Sequence, residues 1–597
     1  MAMLQAPPEK DIFTTPENGS FYSRRKYNRL SPEDHEIRLL RMHPVRLTLG
    51  ELASVFPKWL ERDTDAADLS LDKTSRDSST FICCQLVEAN KLELKERKYA
   101  ALSYCAGKPT ETRRIMIDGY WFNAFANLEH ALEGFREHYD RSSSSGNLIW
   151  ADQVCINQVD FQEKSHQVGF MRKIYENAEK TYVVLSTPRA PIPDAEAGVL
   201  ALRLALNHLE ARLQEESHCY AVTGSRNGYS EIFLDWIYEH PKHPVCGALA
   251  QLLNFVDRVC DAKWWTRAWV FQEFLVSDNI HFVCGSQCLE LNDLAPFLQF
   301  RNWNTTNEES AARFELRSKS PHSERIAHSV ELLKKSAMHC RQSETSYKLP
   351  MLFDERRTNR YIFPLTPDFL HLLATASSSG FQATDPRDML YAFTGLSSIT
   401  SGVTVDYSPA NTIWDVCAAV AEKFIEHGDL RLLRRAATTR EVDAFFDENL
   451  PSWAPDWTLP APWIPCQHSP WKIPSAERHR LAGKALCVQG VHLATLGDET
   501  PNGVFQAMGH DFDTTGLVQS GDELWAIHGG TGIHALRKRE GGGYVLVGLA
   551  ILLPGRVSRC YGGYRVIELE ELGLSEYKVV MDAIEASLTG VQSIVLE

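Results

Sequence analysis

No Cys-x-x-Cys pair occurs anywhere in the sequence, although it holds 14 cysteines. They are scattered, without the even spacing of a small disulfide framework, and read as reduced thiols of an intracellular protein. Long apolar runs are also missing. The longest strongly apolar uncharged run, Tyr544 to Leu553, is too short to span a bilayer, which takes about 20 residues. Basic charge is in deficit: 62 Lys and Arg stand against 77 Asp and Glu, a net charge of −15. General nucleic-acid binding, which needs a basic footprint, is therefore not expected. The first residues, Met1-Ala-Met-Leu-Gln-Ala-Pro-Pro-Glu-Lys10, lack the basic-then-apolar pattern of a secretory leader, so a cytoplasmic protein is expected. Metal-ligand spacing is absent as well. His322 and His328 are six apart, and Cys466 and His468 sit in a proline-rich loop, so no metal site is expected. Gly529-Gly-Thr-Gly532 lacks the spacing and the following lysine of a phosphate loop and reads as a turn. Neither an internal repeat nor a coiled-coil heptad is visible.

The chain does contain an organising stretch, from Leu148-Ile-Trp-Ala-Asp152-Gln-Val-Cys155-Ile-Asn157-Gln158 to Thr181-Tyr-Val-Val-Leu-Ser186. It reads as strand, loop, helix, strand. Asp160 and Glu163 have capping-box spacing at a helix start. Val168, Met171, Ile174, Tyr175 and Ala178 recur at three- and four-residue steps, which gives the helix one apolar face. Thr181–Leu185 is a run of β-formers suited to a buried strand. Such βαβ units pair strands in parallel with a right-handed crossover. Ligands of open parallel sheets gather at strand carboxyl ends, where Asp152, Cys155, Asn157 and Ser186 fall.

At 597 residues with 44% apolar content, two to four domains with sizeable cores are expected. Residues 1–35 are polar and proline-containing and read as a flexible N-terminal arm. Residues 36–290 form an α/β domain. Within it, Glu36–Met42 reads as an edge strand, and Phe81–Leu86, Tyr99–Tyr104 and Arg114–Gly119 read as further strands. Asn127 is placed as the cap of a helix carrying Leu128, Ala131, Leu132 and Phe135. Lys263-Trp-Trp-Thr-Arg267-Ala-Trp269-Val-Phe-Gln-Glu273-Phe-Leu275 reads as one helix. Residues 291–484 form a mainly helical region. Residues 485–597 form a β-rich C-terminal domain of short strands and Gly turns.

Several blocks together resemble the fungal heterokaryon-incompatibility (HET) domain family. They are Tyr99-Ala-Ala-Leu-Ser-Tyr104 with Gly107, Asn127-Leu128 with Ala131-Leu132, Trp150 to Gln158, Gln167 to Ala178, and Trp264-Trp-Thr-Arg267-Ala-Trp269-Val-Phe-Gln-Glu273. Their order and spacing make the resemblance specific over roughly residues 36–290. Asp385-Pro-Arg-Asp388, Pro451-Ser-Trp453 and the Gly521–Gly548 segment resemble segments C-terminal to the domain in large family members. The HET domain is in turn similar to the Toll/interleukin-1 receptor (TIR) domain, which implies a flavodoxin-like parallel sheet with flanking helices. Some TIR domains hydrolyse NAD with a glutamate in a Trp-Cys-x-x-Glu pattern. Trp269-Val-Phe-Gln-Glu273 keeps that spacing and replaces the cysteine with Val270. One departure is Ala106, where the family usually has tryptophan.

The resemblance implies fungal nonself recognition leading to programmed cell death, with NAD as a candidate ligand or substrate and no required cofactor. Glu273 is the candidate catalytic residue of an NAD nucleosidase. On one helix face with Trp265 and Trp269 it would be desolvated, and a carboxylate beside a ribose can stabilise an oxocarbenium-like state. Ser103, Tyr104, Gly107, Asp152, Asn157 and Trp269 are the candidate ligand-binding residues. Asp152 and Asn157 have ordinary turn roles as the competing reading. Cys155 reads as buried packing and not as a nucleophile. Two other functions fit the same blocks. One is a non-catalytic module that self-associates or holds a protein partner. The other is an enzyme of the same fold recruited to secondary-metabolite biosynthesis.

Overall fold

The computed structural model describes residues 12–56, 79–207, 240, 243–303, 324–345, 348–357, 369–396, 402–439, 449–459, 470–473, 479–499, 505–507, 510–552, 560–561, 564–565 and 591–596. The chain divides into two compact units, Met1–Ile362 and Phe363–Glu597. The Leu60–Ser79 insert lies almost entirely outside the described residues.

The first unit is built on strands β1 (Glu36–Met42), β2 (Leu47–Thr48), β3 (Thr80–Phe81), β4 (Cys83–Lys91), β5 (Ala100–Ser103), β6 (Thr112–Ile117), β7 (Tyr120–Phe125), β8 (Leu148–Trp150), β9 (Lys180–Val184), β10 (Ile280–Cys284) and β11 (Gln287–Glu290). Nine of them form one mixed sheet in the order β11-β10-β9-β5-β8-β1-β4-β6-β7, and β2 and β3 pair separately. Pairing is parallel from β8 through β5 and β9 to β10. In chain order this parallel core runs second, first, third, fourth. That is the flavodoxin-like arrangement, and its topological switch point lies between β5 and β9. Buried parallel strands carry continuous apolar runs, and all four residues of β5 are buried. The α/β class is therefore as expected, with antiparallel strands added at both flanks.

Four local expectations are corrected. β1 is not an edge strand; it lies between β8 and β4. Its Arg38 gives it an edge-like pattern, yet that side chain is fully buried. The N-terminal arm is held from residue 12 onward. Pro16–Arg24 is helical, Phe21 is buried against Phe122, and Asn18 bonds the backbone of Asn123 through both its amide nitrogen and its oxygen. Asn127 does not cap its helix, which runs Ala126–His138; its amide donates instead to the Cys105 carbonyl at 2.9 Å. The helix after Asp160 is two helices, Phe161–Gly169 and Met171–Glu176. The backbone breaks at Phe170, whose ring packs on His35 and His166.

Buried histidines give this unit a pH dependence. His130, His138, His166 and His281 are all pushed below the usual 6.5 by burial. The unfolded chain then binds more protons than the folded one between the depressed values and 6.5, so stability rises with pH across that window. It is fully present above 6.5 and lost as pH falls. The melting temperature is expected to drop between about pH 7 and about pH 5.5, with a shallower slope in His281→Gln. An identical slope in that variant would count against a contribution from His281.

In the second unit, helices Phe369–Ser378, Asp388–Thr394, Ile413–Glu426 and Leu432–Thr439 precede an eight-stranded sheet. Its pairings are antiparallel except between Tyr544–Leu552 and Val591–Leu596. Phe512, Leu524, Ile533 and Val547 lie in its core. Gly542, at φ +96°, makes the tight turn that joins Ile533–Lys538 to Tyr544–Leu552. Among the described residues no helix is long and apolar enough to cross a membrane.

Candidate functional site

Ser103 is the last residue of β5 and is 1% exposed. Its hydroxyl donates to Glu273 Oε2 at 2.8 Å and accepts from Trp264 Nε1 at 2.6 Å. A single hydroxyl thus gives its one proton to the carboxylate and takes the indole N–H on a lone pair. Arg267 completes the cluster. Its Nη1 lies 3.0 Å from Glu273 Oε2, and its Nη2 lies 3.2 Å from Oε1. Glu273 is 3% exposed, whereas the Arg267 side chain retains 20% exposure. The carboxylate therefore sits behind the guanidinium.

The backbone explains how these groups meet. The Trp-rich segment is not one helix. Lys263–Thr266 is a 3₁₀ turn, Arg267 is extended at φ −84° and ψ 140°, and the helix proper runs Val270–Leu275. The extended residue lets the Arg267 side chain fold back on Glu273, six residues later. It also removes Trp265 from the helix face of Glu273. Trp265 donates to the Val259 carbonyl instead, and Trp264 is the indole that reaches Ser103. Trp269 is half-buried at the start of the helix and outside the hydrogen-bond chain. Trp264 escapes a helical-wheel reading because the wheel presumes an unbroken helix.

Burial lifts the Glu273 carboxyl above its ordinary range, against the downward pull of Arg267 and Ser103. The nearby Asp152 charge adds to the rise. For Arg267, burial pulls downward, but Glu273 and its neighbours outweigh it and hold the guanidinium firmly charged. Tyr175, buried beside the pair, donates to the Leu102 carbonyl at 3.1 Å.

A second arm of the site comes from the loop after β8. Asp152 opens the one-turn helix Asp152–Cys155 and accepts from Tyr104 Oη at 3.0 Å and from the Gln153 amide at 2.7 Å. Burial beside that carboxylate pushes the Tyr104 phenol well above its ordinary range. The loop is held from beneath by Arg38. It pairs with Glu163 through both nitrogens of its fork, donates to the Cys155 carbonyl at 3.2 Å and to the Asn28 carbonyl at 2.6 Å, and lies over the Tyr27 ring. Tyr27 in turn donates to the Val154 carbonyl at 2.9 Å. Asp160 caps its helix, accepting from the Gln162 and Glu163 amides. Glu163 does not close the capping box; it takes Arg38 and the Asn157 amide. Asn157 therefore stands on the Arg38 side of the loop, away from Glu273.

Gly107 follows β5 at φ +93°, and a Cβ there would meet the Asn127 amide at 2.8 Å, so glycine is required. Ala106 beside it is exposed. Cys155 is fully buried, accepts from the Ala151 amide, and has its thiol pushed up to about 12 by burial, which makes it an inert packing group. Sequence reasoning also leaves His130 unnamed. Its Nε2 lies 2.9 Å from Ser186 Oγ at the carboxyl end of β9. Among the described residues no group of three or more His, Cys, Asp or Glu side chains is arranged to hold a metal ion.

The structure thus joins Ser103 to Glu273 and Tyr104 to Asp152 at the carboxyl ends of neighbouring strands, and sets Asn157 and Trp269 apart from both contacts. A family model described as heterokaryon incompatibility protein (HET) matches residues 99–273, the span from β5 to the site glutamate. Over 394 residues the chain is 26% identical to heterokaryon incompatibility protein 6, OR allele, of Neurospora crassa, covering 60% of this chain and 53% of that protein. The chain therefore spans about half the length of the curated relative it matches. No solved structure matches. Every block from β5 to Glu273 lies inside the matched span, so this stretch of the chain is similar to the heterokaryon-incompatibility domain.

Proposed function

We propose that this protein acts in the cytoplasm in fungal nonself recognition leading to cell death. On this reading its HET domain takes an NAD-type dinucleotide over the carboxyl ends of β5 and β9. The observation that carries the reading is the Ser103–Glu273 contact at the switch point of a flavodoxin-ordered sheet, where such sheets bind nucleotides. Cleavage would break the nicotinamide–ribose bond. Nicotinamide leaves with the bonding electron pair, the ribose carbon becomes oxocarbenium-like, and water adds to that carbon and releases a proton. The Glu273 carboxylate would stabilise the positive ribose, while Ser103 and Trp264 fix its orientation. Tyr104 and Asp152 would bind the rest of the ligand.

Nicotinamide release from NAD is expected in concentrated purified protein and should fall at least about 100-fold in Glu273→Gln. No release above that of the variant, in dilute or concentrated samples, would sink the enzymatic reading. A second reading, a non-catalytic assembly module with a protein partner or a second copy, is favoured by a specific observation. Both Glu273 oxygens are already engaged within the protein. On that reading Glu273→Gln leaves cell death intact, and substitutions at exposed apolar positions such as Val159 and Phe161 abolish it.

A further inference from the structure

Arg267 faces two ways. Its Nη1 and Nη2 reach inward to Glu273, while the rest of its five N–H groups make no hydrogen bond among the described residues. The side chain keeps 20% exposure, and Glu273 lies behind it at 3%. The contacts to Glu273, at 3.0 and 3.2 Å, use only two of the five N–H groups, so the guanidinium is not fully spent on the carboxylate. The loops after β5 and β9 carry further cations. Lys108 is exposed just after Gly107. Arg189, on the loop after β9, is 73% exposed and pairs with Glu111 on the loop after β5 at 2.7 Å. That ion pair shows that the two loops meet.

We propose that Arg267 is an anion-receiving residue of this site, binding a phosphate or pyrophosphate group through its outer N–H groups while its inner edge holds Glu273. Planar, bidentate donation is what arginine offers phosphate oxygens and lysine does not. The inference rests on the nucleotide reading of the site and names the group recognised there. It also gives Arg267 a coupling role. A phosphate on the outer edge competes with Glu273 for the same positive charge, so phosphate and carboxylate bind Arg267 antagonistically.

That antagonism fixes the direction of the test. Binding of ADP-ribose, inorganic pyrophosphate and adenosine to the full chain is measured by calorimetry at two salt concentrations. Arg267→Lys is expected to weaken pyrophosphate and ADP-ribose at least about tenfold and to leave adenosine unchanged. Glu273→Gln, which removes the competing carboxylate, is expected to bind pyrophosphate more tightly by a few-fold. Arg267→Gln alone strands a buried carboxylate and can fail to fold, so the neutral pair Arg267→Gln with Glu273→Gln serves as the second variant. It is expected to lose pyrophosphate binding while melting cooperatively. Wild-type pyrophosphate affinity in the Arg267 variants, or weaker binding in Glu273→Gln, would overturn the proposal. Absence of nicotinamide release would not, because these measurements read binding of the phosphate group and not cleavage.

Discussion

Arg38→Met is expected to lower the stability of the first unit by about 3 kcal/mol or more, the cost of breaking a buried ion pair from one side. The side chain is fully buried, and it ties together several parts of the site's support. Its loss strands Glu163 and removes the donor to the Cys155 and Asn28 carbonyls. Glu88, 3.6 Å from Nε, keeps Arg25 and the Asn28 amide and suffers less. Adding Glu163→Gln removes the stranded charge and should restore more than half of the loss, since neutral replacements of both partners cost far less than removal of one. Hydrogen exchange gives the local reading. The amides of 153–158 should exchange faster in Arg38→Met, because their loop has lost its anchor. A loss within about 0.5 kcal/mol, the range of ordinary surface substitutions, would mean that Arg38 is not an anchor.

Gly548→Ala should be comparably damaging in the second unit. Gly548 lies in the Tyr544–Leu552 strand opposite Gly516. A Cβ there would meet the Thr515 carbonyl oxygen at 1.8 Å and Val518 Cγ2 at 2.5 Å. The first contact is backbone of the paired strand, so it can retreat only by opening the ladder. Overpacking of this kind costs about 1–3 kcal/mol, and a clash with fixed backbone belongs at the upper end. Gly541→Ala is the matched control, because a Cβ there meets nothing within 4 Å. Unfolding in denaturant, followed by protease susceptibility of the second unit, should separate the two variants. Equal midpoints would show that the strand accommodates the methyl group.

Much of the parallel core was legible because buried parallel strands write themselves as short runs of β-formers, as in Ala100–Ser103 and Lys180–Val184. What local pattern hides is any residue whose conformation is set by a distant partner. Arg38 makes β1 look half-polar, and the Glu163 carboxylate and Cys155 carbonyl that explain its burial lie 125 and 117 residues away. Every residue from Lys263 to Leu275 tolerates a helix, so nothing local announces the extended Arg267. Asn127 has the character of a helix cap, but the Cys105 carbonyl takes its amide. Within the site, the resemblance named Ser103 and Glu273 as separate candidates, and their contact across 170 residues is visible only in the structure. The parts of Trp264 and Arg267 depend on a chain break that helical periodicity does not encode.

The Ser103–Glu273 contact also has a consequence in time. Its partners are 170 residues apart, and Trp264 reaches Ser103 across 161. β10, the fourth strand of the parallel core, comes after Glu273 in the chain. During synthesis, β5, β8 and β9 can all leave the ribosome while the carboxylate, the indole and the guanidinium are still unmade. Contacts of such long range form late, after much chain entropy has been surrendered. A polypeptide released early, or still tethered before β10 emerges, carries the strand end without the acid. On the proposed reading, a chain at that stage lacks the group that would act on the ligand.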